Sequence, residues 1–355
     1  MTPARPSVTI AVFSYNTGRY VASLLRSLQA QTWERFEVVI FEDGSTDNSI
    51  EIIQPFLADK RFQLIASKQN RGLGHGVASA MENIRGDYCV LIAADDELKP
   101  DFLARRIALM EEDPEVALAH GGVELIDESG AALPADSALA GHATKMQEID
   151  ARLRRWPAIM DPADALALLL QHNVICAPSI FTRASITRAW AARIPMKWNW
   201  ASDWFLSLLH AASGKMAYDP APLARYRVHG NSMSHHARYN GPKQAEIRLA
   251  PLCALSLAAG HSAAAAGLWA KYRKPLYALW LRRALVLHRA KQLDEGWLRM
   301  AAAAYYGEAK IISLPAEIMR HAVNITWTSG REAAARKKQW LPVAGLAQIQ
   351  HPFFS

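Results

Sequence analysis

The sequence predicts an α/β protein with a mainly parallel central sheet flanked by helices, followed by an all-helical C-terminal region. Three observations predict it. Short β-branched runs alternate with helix-spaced segments from Val8 to Asp96. Each of those runs breaks off into a polar cluster, and beyond about Lys243 the apolar spacing is helical alone. Strands joined by crossovers of about a dozen residues or more pair in parallel.

Val8 to Phe13 is a compact apolar run that reads as a strand, and after Ser14-Tyr15-Asn16 the spacing of Val21, Leu24, Leu25 and Leu28 predicts a helix. A second strand, Val38 to Phe41, ends at Glu42-Asp43-Gly44-Ser45. A helix from about Asp47 follows, with Ile50, Ile53 and Leu57 on its inner face. Phe62 to Ala66 gives a third strand. After Asn70-Arg71-Gly72-Leu73-Gly74, residues His75 to Ile84 read as helix, and Tyr88 to Ala93 form a fourth strand running into Asp95-Asp96. In parallel sheets ligands bind outside the carboxyl ends of the strands. One polar cluster there is ordinary turn chemistry; four on the same edge point to a site.

The strings PSVTIAVFSYN, FEVVIFEDGSTDNS, NRGLG and YCVLIAADDELKPDFL resemble the nucleotide-sugar domain of family 2 inverting glycosyltransferases, which have the GT-A fold. The resemblance is strong from about Pro6 to Met110 and weaker from Gly141 to Trp190. It returns at Trp200-Ala-Ser-Asp-Trp204 and at Tyr226 to Ser234, similar to the family's acidic base motif and its late YR-x-H segment. It implies inverting transfer of a sugar from a nucleotide-diphosphate donor, a UDP-sugar, to a glycan or lipid-linked acceptor in polysaccharide synthesis.

Asp43, at the tip of the second strand, is implied to accept the N3–H of uracil; an Asx turn or helix cap is the plainer use of such a residue. Tyr15 offers an aromatic face for a base, with Phe13 and Ser14 in reach. Arg71 offers a fork of donors to a diphosphate, or is a solvated surface arginine. The resemblance puts Asp96 on a divalent cation, Mn²⁺ or Mg²⁺, and Asp95 on the ribose or donor sugar. Adjacent aspartates suit a hard cation that also takes phosphate oxygens. Ala93 stands where many relatives carry a further aspartate, which thins the metal site. Asp203 is the candidate base for the acceptor hydroxyl, with helix capping as its plainer role and Asp219 and Glu124 as rivals. Ser202 departs from the usual acidic pair there. His229 is a candidate ligand to the metal or a phosphate.

Composition narrows the alternatives. With 355 residues, 51% hydrophobic and 21% charged, the chain is expected to bury a sizeable core rather than to be disordered. Its three scattered cysteines form neither a disulfide framework nor a zinc site. There is no phosphate-binding G-x-x-x-x-G-K-[ST], and Gly72-Leu-Gly74-His-Gly76 does not fit a dinucleotide fingerprint. Residues 1–240 are expected to form the glycosyltransferase domain, with a nucleotide-sugar half at about 6–122 and an acceptor half at about 123–240. Residues 241–355 are expected to form a helical domain. From Lys243 onward there are 16 Lys and Arg against 6 Asp and Glu, and tryptophans are interleaved. That region carries no nucleic-acid motif and suits an anionic membrane surface. With no signal peptide at the N-terminus, the expected location is cytoplasmic, peripheral on the inner face of the membrane. Leu249 to Ala270 is uncharged and reads as buried helix rather than a membrane span. The competing function is a catalytically inactive GT-A-fold protein that binds glycans or acts as a scaffold.

Overall fold

Val8–Ser14 (β1) is apolar on both faces because it is enclosed on both. Val8, Ile10 and Val12 point into one buried cluster, while Ala11 and the partly buried Phe13 belong to another on the opposite side. A strand covered on both faces carries a continuous hydrophobic run. In the computed structural model, residues 6–133, 158–171, 173–191, 201–230, 232, 250–251 and 253–271 are described. All lie in the compact unit Met1–Arg273.

The elements of the first half are β1, Val21–Gln29 (α1), Phe36–Glu42 (β2), Ser49–Ile53 (α2), Phe62–Ala66 (β3), Leu73–Asn83 (α3) and Tyr88–Ala93 (β4). They match the order expected from sequence. The helix predicted from Asp47 stops early: after α2 the chain tightens into a 3₁₀ turn, Gln54–Ala58, with Pro55 in its first turn. Beyond β4 come Glu97–Leu98 (β5), Phe102–Glu112 (α4), Val116–Ile126 (β6), Ile159–Met160 (β7), Pro162–Gln171 (α5), Phe181–Arg183 (β8), Ala184–Ala191 (α6), Ser202–Ser213 (α7) and Lys215–Arg227 (β9).

One mixed sheet runs β3-β2-β1-β4-β8-β6-β9-β5, with β7 on β9. β1, β2, β3 and β4 are mutually parallel, as are β6 and β9; β8 is antiparallel to both its neighbours and joins the two parallel groups. On one face α1 and α4 bury Leu24, Leu25, Leu28, Phe102, Leu103 and Ile107 against β1 and β4. On the other face, Val77 and Met81 of α3 pack with Ala184 and Leu206. The stretch Leu249 to Ala270 is broken by a turn at residues 259–261, between helical residues 253–258 and 263–271. Ala254, Leu255, Ala258 and Ala265 are buried. Among the described residues no helix is long and apolar enough to cross a membrane. The basic clusters and tryptophans expected beyond Tyr272 lie outside the described residues.

Where α6 and α7 meet the sheet, a buried polar chain crosses the core. Nδ1 of His210 bonds the carbonyl of Leu206 at 2.8 Å, and since a carbonyl only accepts, the proton is on Nδ1. Nε2 therefore accepts the Thr187 hydroxyl at 2.9 Å, and Thr187 in turn meets Cys89 and Thr182 at 3.3 and 3.2 Å. Every position needs a neutral imidazole. Burial pushes His210 down to about 4, and His120 on β6 down to about 3, helped there by the Arg106 cation.

A base whose folded pKa lies below its unfolded value costs stability as pH falls through the unfolded value, until the folded form also protonates. For His210 that window runs from about 6.5 to about 4. Urea unfolding is expected to show about 2 kcal/mol less stability for the wild type at pH 5 than at pH 6.5 from this residue, and the His210→Gln variant should lack that increment. Parallel pH dependences for the two proteins would contradict the neutral buried imidazole.

Candidate functional site

The four parallel strands end at one edge, and their loops are stitched together there. Asn16, with φ of 51°, turns its side chain so that Oδ1 accepts the Thr46 N–H at 2.9 Å, while its own N–H donates to Ser45 Oγ. Asp47 accepts the N–H groups of Gly18 and Ser49, each at 3.0 Å. Glu42, only 1% exposed, takes the N–H groups of Gly44 and Ser45 at 3.1 and 2.8 Å. Gly44 is obligatory: its φ is 70°, and a Cβ would stand 2.6 Å from the backbone of Gln69.

Asp43 does not cap the turn that follows it. Its carboxylate reaches across to the next loop and accepts the N–H groups of Arg71 at 2.9 and 3.1 Å and of Gly72 at 2.7 Å. These lie just before α3, whose N-cap Gly72 has φ of 87°, so the β2 and β3 loops are locked to each other. The result is a cleft of about 1280 Å³ lined by Phe13, Tyr15, Asp43, Arg71, Asp95 and His229, together with Lys68, Ile65, His75 and Ala93. Among the described residues Tyr15 and Ile65 are the large apolar side chains left exposed, at 43% and 40%. Both stand on this cleft, where a planar apolar group can cover them.

The turn after β4 is held from behind. Arg227, at 2% exposure, donates through Nε to the Asp95 carbonyl at 2.7 Å, through Nη2 to Glu97 at 2.5 Å and through Nη1 to the Asp127 carbonyl at 2.9 Å. Its backbone N–H donates to Asp96 Oδ1 at 3.0 Å. Arg225 reaches the other oxygen of Glu97 and also Glu124, at 2.8 Å for the latter. His229 meets Asp95 Oδ2 through Nε2 at 2.9 Å and packs against Tyr20, ring centroids 4.8 Å apart. The structure thus sets His229 against Asp95.

Asp96 does not line the cleft; it is 3% exposed behind Asp95. Burial pushes its carboxyl well up, and the neighbouring Asp95 charge pushes it further. Asp203 is also outside the cleft lining, in the first turn of α7, where burial raises its pKa and the amide of Asn173 donates to it at 3.1 Å. Both aspartates act on one buried thiol: Cys176 is pushed up by its own burial and then by the charges of Asp96 and Asp203. The rival bases are engaged elsewhere. Asp219 pairs with Arg105 and Arg106, both at 3.1 Å, and Glu124 pairs with Arg225 and Lys99.

Among the described residues no group of three or more His, Cys, Asp or Glu is arranged to hold a metal alone. The pair Asp95-Asp96 nevertheless has the donor chemistry of a Mg²⁺ or Mn²⁺ site that completes its shell with phosphate and water. Asp96 is a buried carboxylate beside a second one, with only a backbone N–H on Oδ1, so a cation there would relieve a real electrostatic cost.

Residues 9–171 match glycosyl transferase family 2. An uncharacterized glycosyltransferase of Haemophilus influenzae is 25% identical over 230 residues, covering 64% of this chain and 68% of that protein. The chondroitin synthase of Escherichia coli is 30% identical over 125 residues, covering 35% of this chain and 18% of the synthase. The crystal structure of S. aureus TarS residues 1–349 in complex with UDP-GlcNAc is 14% identical, with a TM-score of 0.56 over 91% of this chain and 92% of that one. That likeness is one of fold, the GT-A arrangement.

Arg227→Met leaves the Asp95 carbonyl without its guanidinium donor, leaves the Asp127 carbonyl with the Gly130 N–H alone, and removes one buried partner of Glu97. Urea unfolding should show a loss of about 3 kcal/mol or more. A loss below about 1 kcal/mol would mean that the turn carrying Asp95 and Asp96 does not depend on this guanidinium.

Proposed function

We propose, for a chain whose residues 9–171 belong to glycosyl transferase family 2, that it moves a sugar from a nucleoside diphosphate to a hydroxyl of a glycan or lipid-linked acceptor in polysaccharide synthesis, with inversion at the anomeric carbon. The observation that carries this reading is the convergence of Tyr15, Asp43, Arg71 and Asp95, from four different strand ends, on one cleft. Tyr15 and Ile65 supply apolar faces for a base. Asp43 accepts three hydrogen-bond contacts from two backbone donors, which fixes its orientation, and a carboxylate has about four acceptor sites. One remains for the imide N–H of uracil. Arg71 and Lys68 place positive charge along the same wall for phosphates. UDP-GlcNAc, the ligand in the TarS structure, is the first donor to try.

Asp96, with Asp95 beside it, would hold a Mn²⁺ or Mg²⁺ ion, which would supply Lewis-acid stabilisation of the charge on the departing diphosphate. The remaining chemistry belongs to the chain. Asp203 takes the proton of the acceptor hydroxyl as that oxygen attacks the anomeric carbon. The bond from the anomeric carbon to the phosphate oxygen breaks, and its electron pair leaves with the nucleoside diphosphate. Burial raises the Asp203 carboxyl toward the range where it can accept a proton near neutral pH. Arg227 keeps the Asp95 and Asp96 turn fixed while this happens, and His229 holds the Asp95 carboxylate.

Calorimetric titration with UDP and Mn²⁺ tests the donor side. Asp96→Ala should abolish the metal-dependent part of binding, and Asp43→Ala should weaken UDP binding with or without metal. Asp203→Asn should bind as the wild type does and lose transfer by about 10²-fold or more. Unchanged affinity in both binding variants, or near-normal turnover in Asp203→Asn, contradicts the assignment concerned.

A further inference from the structure

We propose that Asn173 is a positioning residue for Asp203, whose side-chain N–H holds that carboxylate oriented and ionised; the inference rests on the reading of Asp203 as the base. Asn173 follows α5, and its Nδ2 donates to Asp203 Oδ2 at 3.1 Å. Its other end has no such reward: Oδ1 is buried and has no hydrogen-bond partner among the described residues. A buried amide oxygen left unpaired destabilises the fold, so packing alone favours an apolar side chain of this size here. What the amide contributes is one donor aimed at one carboxylate. Reversing the amide would set its oxygen against that carboxylate's lone pairs, so the orientation is fixed by its partner.

The surroundings leave this donor little competition. Asp203 stands in the first turn of α7, where the Ser207 hydroxyl bonds its carbonyl at 2.8 Å and the Trp204 indole N–H bonds the Leu169 carbonyl at 2.8 Å. These contacts pin the start of the helix to the end of α5. The charge of Asp203 is felt by the buried Cys176 thiol, as is that of Asp96. His210, two turns along α7, is engaged with Leu206 and Thr187. Among the described residues no Lys, Arg or His forms an ion pair with Asp203. Burial disfavours its charge, and the Trp204 backbone N–H and the Asn173 amide oppose that. Since a neutral amide N–H stabilises the anion, it keeps the base available without introducing a cation that the acceptor would have to displace.

The test uses the full chain with ¹³C-labelled aspartate carboxyl groups, the Asp203 signal being identified by its loss in Asp203→Asn. In Asn173→Leu and Asn173→Ala the titration midpoint of Asp203 should rise by about one unit. The Leu variant should melt at or above the wild-type temperature, because the unpaired oxygen is removed with the amide. A residue with a merely structural role would lower the melting temperature and leave the midpoint unmoved, and that result overturns the proposal. UDP release from UDP-GlcNAc separates the two readings. If Asp203→Asn releases UDP as fast as the wild type, the base assignment is wrong and Asn173 has no catalytic purpose. If Asp203→Asn is inactive and the Asn173 variants keep the wild-type midpoint, only the inference about Asn173 fails.

Discussion

The parallel pairing of β1 between β2 and β4 is the constraint on which the rest depends. In that register Phe13 lies beside Phe41 and Ala93, and Glu42 beside both Ser14 and Ala66. Four chain segments far apart in sequence must therefore finish at one level. Because β1, β2 and β4 are buried on both faces along most of their length, while the edge strand β3 is buried at Phe62, the loops are left to carry the polar chemistry. The carboxylates and amides of Asn16, Glu42, Asp43 and Asp47 then satisfy the backbone donors of those loops, which leaves a preformed cleft rather than a set of independent turns.

The second half of the chain supports that edge from below. β9 runs parallel to β6 and brings Arg225 and Arg227 under the turn after β4. A guanidinium at this position has five donors in a rigid fork and meets two carbonyls and a carboxylate at once, which a lysine ammonium on a flexible stem does not reproduce. The geometry explains why the acidic pair and the late Tyr226-Arg-Val-His229 segment occur together: one positions the other. Two carboxyls whose ionisation burial opposes are left, Asp96 behind the cleft and Asp203 in the first turn of α7.

Much of this was legible in the sequence, for a physical reason. Strands buried on both faces are apolar throughout, so β1, β2 and β4 stand out, and the polar clusters that end them mark the edge of the sheet. The less legible parts depend on contacts between distant segments. β6 is buried along most of its length yet contains His120-Gly-Gly122 and shows no alternation, so its pattern gives no strand period. Glu42 reads as the start of a turn and is instead a buried organiser of Gly44 and Ser45. Asp43, expected at the nucleotide with a local cap as its plainer use, bonds a loop 28 residues away. Asn173 carries no motif at all, and its unpaired oxygen is visible only once α5 and α7 are side by side.

The central claim is that the edge of this parallel sheet binds a nucleoside diphosphate together with a divalent cation. A thermal-shift series with UDP, GDP, CDP and ADP, each with and without Mn²⁺, tests it most directly, because a ligand that binds only the folded chain raises its melting temperature. The account predicts a rise with UDP that grows when Mn²⁺ is added and is smaller for the other nucleotides. A melting temperature unmoved by every nucleotide, with or without the metal, would contradict it.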